Sequence, residues 1–522
     1  IPSGTGAPTN VFGALAVDPQ RNLVLIANAG SNTLTSINIT TGSQQPVQID
    51  RVETTLPAYG LPSSFLAQAT LSTTSTPPPV PTAAGAYRFR LLGKGFTAPN
   101  LHVRLDQVQI ASFTVVSDQE IDFNIPATAT DPFAPSQQFP NIMAVDVVSD
   151  SGNSNVTHLT VVGSVDLTAG CGTGATPQPS SVAIDDQRDI ALVTNPGCSV
   201  AGTNGTTAIT NAGTVSIIDI KPLNADGTVN TAYGTVIRTV PVGITPTAIA
   251  VIPRLGYAAV TNQGNSASPG GTVSVIDYHV ADSPDAVAAT PTKLADVQVG
   301  TSPSGIAIDQ DTGVIVVANT GDNTVSTIDL TVLQESPAGK LTATRIAVDS
   351  TPIAVAIDPA RQIAVVTTLQ SNGLGQTSFG ALDIIDLSVV PFTKNSSKTI
   401  SGLTAIPTGL VFDPAAKPSV FYATSSLANA VYAFNPDTGQ ATAIPVGENP
   451  TSIAYNPNSG ELLTVNNRSN TISVVDTQTF RTVANLGVGS QSEFAAAIHP
   501  RTNIAVIADQ ANNRVLLLPL PK

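Results

Sequence analysis

The segment TSPSGIAIDQDTGVIVVANTGDNTVSTIDL (301–330) alternates short apolar runs with polar turns in a fixed order. A proline leads into an apolar run that ends at Asp. A second run ends at Asn, and Asn-Thr-Val-Ser then opens a third run that ends at Asp. Runs this short, rich in Val, Ile and Thr and bounded by Gly, Pro, Asn and Asp, predict β-strands. Residues 448–477, ENPTSIAYNPNSGELLTVNNRSNTISVVDT, repeat the same order.

The opening skeleton recurs eight times. Its first run reads ALAVDP (14–19), SVAIDD (181–186), AIAVIP (248–253), GIAIDQ (305–310), AVAIDP (354–359), GLVFDP (409–414), SIAYNP (452–457) and AAAIHP (495–500). A fourth run often follows the third and ends in Val-Gly, just ahead of the next proline. Four short strands per repeat predict a β-propeller, in which radial sheets bury their apolar faces against one another. One position of the first strand is small in seven of the eight copies: Ala16, Ala183, Ala250, Ala307, Ala356, Ala454 and Ala497, with Val411 the exception. Strands nearest a crowded axis need such a residue. The expected fold is all-β, an eight-unit propeller with seven blades as the runner-up. The last copy stops at VLLLPLPK without a fourth strand, which leaves a three-stranded closing unit or a completing segment upstream of Ile1.

The repeat is interrupted once. Blade one occupies 1–52, a Pro/Thr/Ser-rich entry containing STTSTPPPVPTAAG occupies 53–85, and the remaining blades occupy 164–522. Between them, 86–163 carries strand-like runs, including AYRFRLLGKGF, EIDFNIPA and MAVDVVSDSGNSNVTHLTVV, that predict a small inserted sandwich.

Segments such as AAVTNQGNSASPGGTVSVID (258–277) and VVANTGDNTVSTID (316–329) resemble the YVTN-type β-propeller repeats of secreted and surface proteins. The order of strands and turns in 86–163, with Gly-Lys-Gly-Phe and Ser-Asp-x-x-Ile-x-Phe-x-Ile-Pro, resembles the IPT/TIG immunoglobulin-like module. The first resemblance implies a propeller and leaves activity open, because one fold hosts many functions.

Composition narrows the partners. Only 11% of the 522 residues are charged, the net charge is −14, and Trp is absent. A chain with few Lys and Arg repels phosphate backbones, so nucleic acid is not an expected partner. No apolar stretch is long enough for a transmembrane helix. The start at Ile1 implies either a removed targeting segment or a trimmed product, and the Ser/Thr richness, few Lys and two cysteines are read as an exported chain, extracellular, periplasmic or at the cell surface.

Cys171 precedes the first strand of the second copy and Cys198 follows its second strand. Antiparallel pairing brings both to one rim, so a disulfide is expected. The four His residues lie at no metal-ligand spacing, and no metal or cofactor is expected. The recurrent Asp of the first turn (Asp18, Asp185, Asp309, Asp358, Asp413) is read as a turn former. The recurrent Asn28, Asn195, Asn262, Asn319 and Asn466 close the second strand. They are turn-capping amides in one reading and a ring of ligand-binding amides on the loop-rich face in the other. That face also carries the long loops 196–213 and 263–270.

Three functions follow from these features. The first is an exported, non-catalytic propeller that binds a protein or surface polymer. A second is a subunit of an extracellular filament or surface layer, built by homo- or hetero-assembly. The third is a lactonase- or lyase-like enzyme, which the resemblance to YVTN-like propellers implies but which wants His, Glu or Arg in loops that here hold Ser, Thr, Gly and Asn.

Overall fold

The computed structural model describes residues 15–18, 23–28, 33–38, 48–54, 64–67, 86–105, 108–109, 113–126, 141–150, 152–154, 156–168, 176–196, 199–201, 207–209, 213–221, 230, 232–264, 269–279, 287, 290–335, 340–370, 379–400, 407–487 and 493–520. Strands make up nearly all of the regular structure, and the one α-helix among the described residues is the single turn Thr331–Glu335. The chain divides into two units, one of Ile1–Gln68 with Thr73–Val162 and one of Ala69–Ser72 with Gly163–Lys522.

In the first unit, the first sequence copy forms a three-stranded sheet of its own, Leu15–Asp18, Leu23–Asn28 and Thr33–Asn38. The apolar run that follows it does not join these strands. Gln48–Thr54 pairs instead with Ala86–Lys94, in a sheet continued by Glu120–Pro126 and Phe113–Ser117. A further set pairs Asn141–Ser149 with His102–Leu105 on one side and with 157–161 on the other. Leu91, Ile121 and Phe123 of the first of these two sheets and Val103, Val145 and Val147 of the second are buried.

The second unit holds six four-stranded antiparallel sheets, each with its strands in chain order. The first comprises Ser181–Asp185, Ile190–Asn195, Thr214–Asp219 and Thr235–Pro241. The others begin at Pro246–Ile252, Pro303–Ile308, Thr351–Asp358, Pro407–Asp413 and Pro450–Asn456. A last set, Glu493–Ile498, Ile504–Asp509 and Arg514–Pro519, gains its fourth strand from upstream. Gly163 faces Leu517 and Asp166 faces Arg514 in that antiparallel pairing. Neither a three-stranded unit nor a segment ahead of Ile1 completes this sheet; the residues that enter the second unit do.

The first strands pack on one another in succession, and Glu493–Ile498 packs on Ser181–Asp185, which makes the succession closed. This is a propeller-like arrangement. The small residues hold one register throughout: Ala183 faces Leu192, Ala307 faces Val316, Ala454 faces Leu463 and Ala497 faces Val506. Second strands such as Ile190–Asn195, Val314–Asn319 and Ile504–Asp509 are buried at every residue. Burial on both faces is why their sequences run apolar without alternation. The cores lie between neighbouring sheets, as where Leu192, Val215 and Ile217 meet Val251, Val260 and Tyr278.

Candidate functional site

The polar positions of the repeat form two belts, one at each end of the strands. At the turn between first and second strands, a side chain caps the backbone. Asp185 Oδ1 accepts from the N–H groups of Gln187 and Arg188 at 2.9 and 3.0 Å. Asp309 does the same for Asp311 and Thr312, and Asp413 for Ala415 and Ala416. In the sixth sheet Asn456 Oδ1 takes the N–H of Asn458, and in the last His499 Nδ1 takes those of Arg501 and Thr502. All five capping residues are buried. This is turn chemistry, in which a short acceptor satisfies otherwise orphaned donors.

The same residues reach into the next sheet. Tyr278 Oη donates to Asp185 Oδ2 at 2.9 Å and Tyr455 Oη to Asp413 Oδ1 at 2.8 Å. Ser419 donates to Asp358 at 2.7 Å, and Asn456 Nδ2 to Asn503 at 2.7 Å. Across the closing seam His499 Nε2 meets Asp189 Oδ1 at 2.9 Å. Arg188 joins the first of these bonds: its guanidinium donates to Asp185 and to the Pro253 carbonyl and stands 5.4 Å from the centroid of the Tyr278 ring. Burial, and then the Asp185 charge, holds the Tyr278 phenol well above its ordinary range. Burial followed by the hydrogen bond to Asp413 raises Tyr455 likewise. Asp189 moves the other way. Burial, its largest influence, raises it, but the His499 hydrogen bond and the charges of Arg501, His499 and Lys221 outweigh that and lower it.

At the opposite end of the strands sit the recurrent asparagines. Asn195, Asn262, Asn319 and Asn466 are at most 1% exposed. Each amide nitrogen donates to two hydroxyls of the third strand: Asn319 to Thr324 and Ser326, both at 2.9 Å, and Asn466 to Thr471 and Ser473 at 3.2 and 2.8 Å. Asn195 and Asn262 repeat the pattern with Thr214 and Ser216, and with Thr272 and Ser274. These four buried amides are bonded to hydroxyls of their own sheet, and the bonds described run to the third strand and not to a turn's backbone. The side chain of Asn28 lies outside the described residues.

Hydroxyls complete this belt. Thr247 Oγ1 lies 2.9 Å from Thr261 Oγ1 and donates to the Pro303 carbonyl of the next sheet. Thr408 does the same between Thr424 and Pro450, and Ser180 between Thr194 and Pro246. The Pro-Thr/Ser pair of the repeat is thus a latch between sheets, a role that spacing along the chain did not reveal.

Cys171 and Cys198 lie outside the described residues, as do most of 196–213 and the middle, 265–268, of 263–270. Among the described residues no group of three or more His, Cys, Asp and Glu is placed to hold a metal ion. The three histidine side chains among the described residues stay apart: His102 bonds Gln109, His279 bonds Asp277, and His499 stands at the seam. Sequence reading missed Asp189, Tyr278 and Tyr455 as partners of the turn residues. The signal was present only as a tyrosine just after a third strand, a tyrosine within a first strand and an Asp just before a second.

No family model matches the chain. No curated protein matches it either. A solved structure of Kuenenia stuttgartiensis hydrazine synthase is similar at 17% identity and a TM-score of 0.48, over 66% of this chain and 96% of that one. A likeness at that level says nothing of what this chain does.

Proposed function

We propose that the chain is an exported, non-catalytic scaffold that binds a protein or a cell-surface polymer through loops carried on a rigid ring. The observation that supports this is the fate of the recurrent polar residues. Asp185, Asp309, Asp413, Asn195, Asn262, Asn319 and Asn466 are buried and bonded within and between sheets. Polar groups held this way give rigidity and leave recognition to the connecting loops.

In this reading the ring has seven blades. The six four-stranded sheets and the closing set form it, and the first sequence copy stands outside it. Its repeats are of the YVTN type, 86–163 is an IPT/TIG-like immunoglobulin module, and Cys171 and Cys198 pair as a staple for the loop-rich face. The test is binding of the full chain to purified cell-wall polymers, glycan arrays and surface-protein extracts, run beside a panel of lactones and esters. Saturable binding without turnover is the expected result. Turnover of any panel substrate, with no saturable binding, overturns the reading.

A further inference from the structure

The outer strands of the second unit's six four-stranded sheets are guarded. Cations are scarce in this chain, 22 in 522 residues, yet five of the six fourth strands carry one or more, Arg238, Lys293, Arg345, Lys394 and Arg481 among them. The remaining one, Ala441–Pro445, ends in a proline, which has no N–H to offer. Four of the six also bulge, one of them at Val483. A charge, a proline and a bulge each keep an edge strand from pairing with a foreign one. In the first unit, Gln48–Thr54 is one outer strand of a four-stranded sheet and carries Asp50, Arg51 and Glu53.

The other outer strand of that sheet, Phe113–Ser117, is different. Residues 111–117, ASFTVVS, hold no charge, no proline and no glycine, and they are rich in strand formers. Thr114 to Ser117 are all exposed rather than alternating, Val115 at 38% and Val116 at 53%. On the inner side Phe113 faces Phe123 and Val115 faces Ile121, with Val116 the extra residue of a bulge. On the outer side no strand pairs with it among the described residues. The nearest charge, Asp118, is held by its own chain, where its carboxylate accepts from the N–H groups of Gly95 and Thr97 and from the Thr97 hydroxyl. An antiparallel pairing of two copies centred on Val115 sets Phe113 opposite Ser117, Thr114 opposite Val116 and Val115 opposite its own equivalent. Neutral residues then meet neutral residues along the whole strand, and the contact is the same on both chains, as a two-fold interface requires.

We propose that Phe113–Ser117 joins two copies of the chain, edge to edge and antiparallel about Val115, so that their two four-stranded sheets become one. The proposal stands apart from what the loops of the second unit bind. Paired five-residue strands make a small contact, shortened further by the bulge at Val116, so the dimer is weak and forms as concentration rises. Each chain carries a net charge of −14, so two copies repel, and added salt strengthens the dimer by screening. Sedimentation equilibrium of the full chain, from micromolar to near-millimolar concentration at low and at high salt, should show a dimer at the upper end that salt favours. Val115→Lys sets two ammonium groups opposite each other and should leave only monomer over the same range. A short bismaleimide should link Val115→Cys chains into dimers above the wild-type background and leave Val483→Cys chains, altered on a guarded edge, at that background. Monomer at every concentration overturns the proposal, as does a dimer that salt weakens. A Val115→Lys chain that dimerises like the wild type, or equal cross-linking at the two cysteines, overturns it too. If Val115→Lys does not fold, the two cysteine variants decide.

Discussion

Gly300 lies so close to Asn319 that a Cβ on the glycine would sit 2.5 Å from the amide carbon. Gly243 stands in the same relation to Asn262, and Gly447 lies as close to the Asn466 amide nitrogen. The Val-Gly that ends one sheet therefore exists for the asparagine of the next. Gly300→Ala should lower stability by about 1–3 kcal/mol, the usual cost of overpacking a close contact. Denaturant midpoints of the two proteins check it.

Among the described residues the buried amide oxygens of Asn195, Asn262 and Asn319 have no hydrogen-bond partner, whereas that of Asn466 accepts from Thr464 Oγ1 at 3.0 Å. Val193, Val260 and Val317 stand where Thr464 stands. Thr464→Val should therefore cost about 1–3 kcal/mol by orphaning a buried acceptor. Val317→Thr should be neutral or stabilising, a sign opposite to that expected for a hydroxyl placed in an apolar core. Thermal unfolding of both variants separates the outcomes.

Tyr278→Phe removes the one inter-sheet donor described for Asp185 Oδ2 and leaves Arg188 beside it. A loss of about 1–3 kcal/mol is expected, because a buried carboxylate loses a bond and gains nothing. Tyr455→Phe should cost less, since Asp413 is not as deeply enclosed as Asp185. The ranking of the two variants in one denaturant series is the check.

Alkaline behaviour is governed by the same tyrosines. Burial, and then the Asp413 charge, pushes Tyr422 up to about 12, and Tyr278 and Tyr455 are raised too. The folded chain thus holds these protons more tightly than the unfolded chain. Their contribution is complete below the ordinary phenol range near 10 and is lost as pH climbs through about 12. Phenolate absorbance of these tyrosines should rise only beyond the ordinary phenol range and together with loss of β-sheet circular dichroism. A rise within that range with the circular dichroism intact would contradict it.

Much of this architecture was legible in the chain. The short apolar strands, the turn Asp and the alanine of the first strand each carry a local cause, and Ala183, Ala307 and Ala454 occupy the register their spacing implied. Spacing could not reveal relations between repeats. Tyr278 meets Asp185 and His499 meets Asp189 across 93 and 310 positions, and nothing local distinguishes His499 from a surface turn residue. The fourth strand of the last sheet was hidden for the same reason. It lies at 163–166, at the end of a segment whose pattern belongs to another module.

That strand has a mechanical consequence. Because Gly163 faces Leu517, the chain enters and leaves the final pairing at the same edge. A pull on the backbone N-terminal to Gly163, set against one on the backbone C-terminal to Leu517, therefore peels the two strands apart rung by rung, like a zip. Their bonds are never loaded together in shear. The closed succession of sheets is thus fastened where a steady pull undoes it with least effort.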